Sequence, residues 1–219
     1  MEKPSKCRVG ILGDSISTYK GYIPQTNTPY YPKPEKVPDI TCVEETWWHQ
    51  LCSRMGWEMQ VNDSFSGATV CKAVRPTHTQ SAAFVNRMKE SLCNRGTDDT
   101  KFDVIFIFGG TNDDWLDRDI GKVKFGDWSD QDLFSIIPAY CYLLDYVTKQ
   151  HPAARIVCIL NDVIRPEIKE GIFEATKHYK VGCVDLVDIN TSWKHPTKLG
   201  MQEIANQVEA YLKENREYQ

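Results

Sequence analysis

A three-layer αβα sandwich built on a five-stranded, mostly parallel sheet is the fold class this sequence predicts, and three observations predict it. Five short runs rich in β-branched and aromatic residues are bounded by turn residues, stretches of helical spacing lie between them, and the middle run, Val104-Ile105-Phe106-Ile107-Phe108, is apolar throughout. A strand covered on both faces reads in this way, whereas a strand with one wet face alternates. Strand and helix taking turns along a chain, joined by right-handed crossovers, leave few arrangements other than helices on both faces of a parallel sheet.

The strands are predicted at Cys7 to Leu12, Trp57 to Asn62, Asp103 to Phe108, Arg155 to Leu160 and Cys183 to Ile189. Helical spacing links Val85, Met88 and Leu92, then Leu133, Ile136, Ile137, Tyr140, Leu144 and Val147, and finally Met201, Ile204, Val208, Tyr211 and Leu212. One segment breaks the rhythm: Gly21 to Asp39 carries five prolines and three tyrosines, and is expected to be an ordered loop. Because it follows the first strand, it belongs beside the carboxyl end of the sheet, either as a rim over a substrate or as a plain surface excursion.

At 219 residues the chain suits one domain, 1–219, since domains commonly run to about 100 to 200 residues. With 26 Lys and Arg against 30 Asp and Glu, the formal charge of -4 creates no basic field, which disfavours nucleic acid as a partner. The opening Met-Glu-Lys-Pro-Ser-Lys-Cys-Arg has no apolar leader core, and no stretch approaches the roughly 18 apolar residues of a membrane span. The chain as written therefore reads as cytoplasmic and away from membranes, or as exported if a signal peptide has been removed. Eight cysteines occur with no C-x-x-C pair, so they are expected as free thiols rather than as a zinc site or redox pair. No H-E-x-x-H, G-x-G-x-x-G or Walker pattern occurs, and no metal or cofactor is implied.

In this architecture ligands bind beyond the carboxyl ends of the strands, and four blocks fall there or at a helix start. Gly13-Asp14-Ser15-Ile16-Ser17 follows the first strand, Asn62-Asp63-Ser64-Phe65-Ser66-Gly67-Ala68-Thr69 the second, Gly109-Gly110-Thr111-Asn112-Asp113-Asp114 the central one, and Ser192-Trp193-Lys194-His195-Pro196 the last. Ser15 would need a base within hydrogen-bond reach and donors for a developing oxyanion. Gly67 lets a backbone N–H approach a ligand closely, and Asn112 offers a side-chain amide. His195 is the base candidate, with Pro196 suited to a first helical position that would hold the ring at the helix start. Each block alone is equally an ordinary turn or cap.

Together and in order, the blocks carry a resemblance. The sequence resembles the SGNH (GDSL-like) hydrolases, whose four blocks are matched by Ser15, Gly67, Asn112 and His195 from the first strand to the last helix. The resemblance implies an SGNH/flavodoxin-like sandwich and a serine esterase. In it Ser15 would attack an ester, His195 would shuttle the proton, and the N–H groups of Ser15 and Gly67 with the Asn112 amide would hold the oxyanion. Relatives that deacetylate carbohydrates make a small acyl ester, plausibly acetyl on a glycan, the expected substrate. The alternatives are a lipase-like or thioester hydrolase, or a degenerate domain that binds a glycan or ester without cleaving it.

One departure stands out: the family places an Asp three residues before the His, and this chain has Ser192. Asp188 or Asp185 could serve as a third triad member, or a backbone carbonyl near Ser192 could leave a Ser-His dyad. Asp14, Asp113, Trp115 and Tyr30 are expected to contact substrate, whereas Trp47 and Trp48 are expected to pack a helix face.

Overall fold

The computed structural model describes residues 6–72, 82–92 and 102–215. Five parallel strands, β1 (Arg8–Gly13), β2 (Glu58–Ser64), β3 (Val104–Phe108), β4 (Arg155–Leu160) and β5 (Gly182–Asp185), form one sheet in the order β2-β1-β3-β4-β5. Helices α1 (Trp47–Met55), α2 (Phe84–Ser91), α3 (Thr111–Trp115), α4 (Ile136–Gln150), α5 (Pro166–Tyr179) and α6 (Lys198–Glu214) follow or precede the strands in alternation. The predicted αβα sandwich with a five-stranded parallel sheet is thus the observed architecture.

The central strand explains the layering. Successive side chains of a strand point to opposite faces, so Phe106 and Phe108 join Trp47, Leu51, Met201, Ile204 and Val208 beneath α1 and α6, while Ile105 and Ile107 join Phe84, Met88, Tyr140, Leu144, Ile168 and Ile172 beneath α2, α4 and α5. All five residues of β3 are buried. Burying each such side chain contributes about 1.5–3 kcal/mol, so the sheet is held by two cores of comparable size.

Several element boundaries differ from the sequence reading, each for a local reason. β2 starts one residue later and runs through Ser64, carrying Asn62, Asp63 and Ser64 into the sheet beside Ile11, Leu12 and Gly13. β5 ends at Asp185 because Val187 pairs its N–H and C=O with the side-chain amide of Gln207 instead of with a strand. Leu133 sits in a single 3₁₀ turn, Asp132–Phe134, before α4. Pro196 is not a first helical residue. His195–Pro196 forms a short strand, β7, paired antiparallel with β6 (Thr191–Ser192), and Thr197 caps α6 by accepting from the Gly200 N–H at 3.2 Å.

The 21–39 segment is a loop with buried anchors at Tyr31 and Val37, whose only regular pairing is a bridge from Lys33 to Val37. Cys7, Cys42, Cys52, Cys71, Cys141, Cys158 and Cys183 are free thiols, while Cys93 lies outside the described residues. No helix among the described residues is long and apolar enough to cross a membrane.

Candidate active site

β1 delivers Ser15 to the carboxyl end of the sheet. The chain leaves the strand at Gly13, the Asp14 N–H donates to the Phe108 carbonyl at 3.2 Å, and the Asp14 carboxylate accepts from the Ile16 N–H at 2.9 Å, opening a 3₁₀ turn, Ser15–Ser17. That turn is pinned from below: the indole N–H of Trp47 donates to Ser17 Oγ at 3.1 Å, and Trp48 and Asn62 both donate to the Ser17 carbonyl, at 3.0 and 2.9 Å. Trp47 and Trp48 are buried packing residues, and their polar edges fix the loop that presents Ser15, which is itself 3% exposed.

His195 meets Ser15 from across 180 residues of sequence, with Nε2 at 2.9 Å from the serine Oγ. Its Nδ1 lies 3.1 Å from the Trp193 carbonyl. A carbonyl oxygen only accepts, so Nδ1 carries the ring proton and Nε2 presents a lone pair to the Ser15 hydroxyl. This is the tautomer a general base requires. The turn that arranges it is tight: Trp193 and Lys194 connect β6 to β7 with φ of 50° and 64°, a two-residue turn that needs positive φ at both positions. Non-glycine residues there cost on the order of 1 kcal/mol each. The surroundings hold the hairpin in place, since Ser192 Oγ donates to the Lys36 carbonyl at 2.8 Å and the Tyr31 hydroxyl donates to the Pro196 carbonyl at 2.8 Å. Gly200 admits the close approach of α6, for a Cβ there would lie 2.1 Å from the Asn190 carbonyl oxygen.

The Asp candidates for a third triad member do not reach the ring. Asp188 is exposed and makes no hydrogen bond to His195, and Asp185 is paired with Lys169 at 2.6 Å. Their strand ends before the hairpin, and Ser192, at the position the family gives to Asp, is turned toward the 21–39 loop. The backbone carbonyl of Trp193 occupies the place a carboxylate would take.

The Gly67 loop and the start of α3 with Asn112, which follow β2 and β3, are joined to each other at the same end of the sheet. Gly67 adopts φ of 81°, a conformation open to glycine, and its loop is braced by Asp113, whose carboxylate accepts from the N–H groups of Val70 and Cys71 at 2.8 and 3.0 Å. Asn112, 8% exposed, donates from Nδ2 to the Ala68 carbonyl at 2.9 Å, so one amide proton links α3 to the Gly67 loop and the other is left over. Neither the Ser15 nor the Gly67 N–H makes a hydrogen bond within the described residues.

Asp14 and Asp113 are not placed to touch a substrate. Both are fully buried; Asp113 accepts from two backbone N–H groups, and Asp14 accepts from one through Oδ1 while its buried Oδ2 makes no hydrogen bond among the described residues. Burial pushes Asp14 up to about 7, with the neighbouring Asp113 adding to the rise and Arg87 opposing it; burial also raises Asp113.

Tyr30 and Trp115 do reach the site. The Tyr30 ring stacks on the His195 imidazole at 3.5 Å between centroids and 6° between planes, Trp115 meets it edge-on at 5.9 Å, and Tyr31 stands edge-on at 6.4 Å. The Tyr30 N–H donates to Thr18 Oγ1 at 2.7 Å, which ties the loop to the serine turn. The Pro- and Tyr-rich loop is therefore a wall of the site. Burial among these rings lowers the His195 pKa from 6.5 to about 4; the bond to the Trp193 carbonyl resists that fall, and Lys33 and Lys36 add to it.

Sequence reasoning missed Arg87, Asp63 and Asn27. Buried Arg87 donates to the Asp63 carbonyl at 2.7 Å and the Gly13 carbonyl at 3.0 Å, and pairs with the Asp63 carboxylate at 2.9 Å, clamping the ends of β1 and β2 together. Asn27 donates to the same carboxylate at 2.6 Å and to the Ser64 carbonyl at 3.0 Å, fastening the loop to β2. A charged residue three positions after Phe84, on the apolar face of α2, was the available signal. Among the described residues no group of three His, Cys, Asp or Glu side chains comes together to hold a metal ion.

A family model for GDSL-like lipase/acylhydrolase matches residues 7–212. Among solved structures, a Bacteroides uniformis protein described as a GDSL-like lipase is 35% identical, with 96% of this chain and 97% of that chain covered and a TM-score of 0.87. A Bacteroides ovatus protein of the same description is 34% identical over 96% of this chain and 100% of its own, at a TM-score of 0.84. An acetyl xylan esterase from Butyrivibrio proteoclasticus shares the fold at 16% identity and a TM-score of 0.63, with 100% of this chain matched to 66% of that one. No curated protein matches the chain.

Proposed function

The chain belongs to the GDSL-like lipase/acylhydrolase family and is a hydrolase of the SGNH type; from that premise we propose that it removes a small acyl group, acetyl foremost, from a carbohydrate through an acyl-enzyme on Ser15. The observation that carries the reading is the pair of contacts on His195, Nε2 to Ser15 Oγ at 2.9 Å and Nδ1 to the Trp193 carbonyl at 3.1 Å.

In this reading the Ser15 hydroxyl proton passes to Nε2 as Oγ bonds to the ester carbonyl carbon. The resulting oxyanion accepts from the unpaired N–H groups of Ser15 and Gly67 and from the second amide proton of Asn112, with no reorganisation needed at the moment of reaction. Collapse breaks the bond to the leaving oxygen, which takes the proton from the imidazolium. Water then repeats the sequence on the acyl-enzyme, with His195 again as base and then acid. The Trp193 carbonyl keeps the tautomer and the Tyr30 ring keeps the plane of the imidazole, tasks that a triad assigns to its carboxylate.

Support for a carbohydrate comes from the Trp115 ring beside His195, from Trp193 on the adjoining turn, 70% exposed, and from the shared fold with an acetyl xylan esterase. The test compares p-nitrophenyl acetate with butyrate for the wild type and Ser15→Ala, alongside labelling by a fluorophosphonate. Turnover with acetate ahead of butyrate, and label lost in Ser15→Ala, is the expected result. Folded wild-type protein that neither turns over nor takes the label sinks the reading and leaves a binding domain on a hydrolase frame.

A further inference from the structure

In the reaction above His195 gains a proton while enclosed, and among the described residues no negative group contacts the ring. Nδ1 rests on a neutral carbonyl, three aromatic rings form the walls, and the two charges that bear on the imidazole are Lys33 and Lys36, both opposing its protonation.

Most carboxylates of the packed elements are engaged elsewhere. Asp113 holds two backbone N–H groups, Asp14 holds one through Oδ1 and is fully buried with Oδ2 unpartnered among the described residues, Asp39 accepts from the Lys198 N–H, Glu45 pairs with Lys198, and Asp114 pairs with Arg165. Asp188 is exposed and makes no hydrogen bond to the ring, and Glu35, on the same loop as the two lysines, is exposed and bears on Tyr30. A third cation, Lys194, completes the rim.

Each of these ammonium groups lies over a ring at the site: Lys33 over Tyr30 at 5.0 Å, Lys36 over Trp193 at 5.4 Å and Lys194 over Trp115 at 5.3 Å. None of the three forms an ion pair among the described residues. Three cations, none in an ion pair among the described residues, therefore lie around one mouth of a chain whose formal charge is -4. The arrangement penalises the imidazolium, and a negative charge brought in by the substrate would remove that penalty.

We propose that the substrate is an O-acylated acidic sugar, whose anionic group sits within about one ring of the scissile ester and docks among Lys33, Lys36 and Lys194. The proposal rests on the esterase reading of the same site and narrows its substrate class. A carboxylate and a sulfate present the same chemistry to three ammonium groups, which act as flexible point charges rather than as a shaped fork.

The experiment measures kcat/KM for O-acetylated methyl galacturonoside against its neutral methyl ester, and for O-acetylated galactose 6-sulfate against O-acetylated galactose. At low salt at least one anionic substrate is expected to exceed its neutral partner by about tenfold. The ratio should shrink toward one in about 0.5 M NaCl, where the Debye length is only a few ångströms. Which anion is preferred identifies the source of the charge. In the triple variant Lys33→Gln, Lys36→Gln, Lys194→Gln the ratio should collapse toward one, and the single variants Lys33→Gln and Lys36→Gln supply the same readout if the triple variant does not fold. Equal kcat/KM within both pairs, in a protein that takes the fluorophosphonate and cleaves neutral esters, overturns this inference and leaves the esterase reading standing. Absence of label and of all turnover overturns both.

Discussion

Acidifying the protein from pH 7.5 to pH 5.5 separates two accounts of His195. A histidine at the ordinary 6.5 would be only about 9% neutral at pH 5.5, so a base-dependent kcat/KM would fall about elevenfold from its plateau. With burial and the two lysines holding the ring at about 4, about 97% stays neutral and the rate barely changes. Acetate release, followed across about pH 4 to 8 at constant ionic strength with a non-chromogenic ester, reads this directly. The acid limb is expected to centre near 4. A midpoint at or above 6 would refute the argument that the ring is desolvated and opposed by cations. The stability consequence has a definite sign. The folded pKa lies below the unfolded one, so the unfolded chain takes the proton first as the pH falls. The full contribution is present above about 6.5 and is lost as the pH drops toward 4. Between those values the protein should keep its activity, while His195 withdraws stability and Asp14, raised to about 7, adds it by taking up its proton in the folded state first.

Three further outcomes follow from named contacts. Asn112→Ala removes both the bond to the Ala68 carbonyl and the proposed oxyanion donor; kcat should fall by about 10² to 10³ with KM little changed, and a loss confined to KM would contradict that role. Tyr30→Leu removes the ring stacked on His195. As a positioning residue its loss should lower kcat about tenfold and move the acid limb toward 6.5, with Tyr30→Phe near wild type on both, whereas a rise in KM alone would mark Tyr30 as a substrate contact instead. Arg87→Met removes the guanidinium paired with the buried Asp63 carboxylate and should destabilise by about 3–5 kcal/mol in urea titration; a change under about 1 kcal/mol would show that the remaining partners of Asp63, Asn27 among them, satisfy it.

The sequence by itself determined the layers, because burial writes a periodic signal. Val104 to Phe108 reads as a doubly covered strand for the same reason that it pairs with β1 on one side and β4 on the other. Ser15, Gly67, Asn112 and His195 were legible as candidates because each lies in a short segment at or just beyond a strand end, Ser15 in a 3₁₀ turn, Gly67 in a loop, Asn112 at the start of α3 and His195 in β7, and such segments leave short, ordered motifs in a chain. What the tertiary structure decided are contacts between residues far apart in sequence, for which a linear pattern has no period. The expectation that Asp14 and Asp113 face substrate failed because proximity in sequence to a site does not set the direction of a side chain; both point inward to backbone N–H groups. Asp188 failed as a partner because β5 ends early and a two-residue turn of Trp193 and Lys194, with positive φ on residues that rarely adopt it, folds a carbonyl back onto the imidazole. That turn carries no glycine or asparagine to announce it, and it persists because Tyr31, Lys36 and Asn190 hold the hairpin from three directions. The Tyr30 stack, the Arg87 clamp and the three lysines at the mouth belong to the same class: chemistry assembled by packing, from residues that local sequence leaves unremarkable.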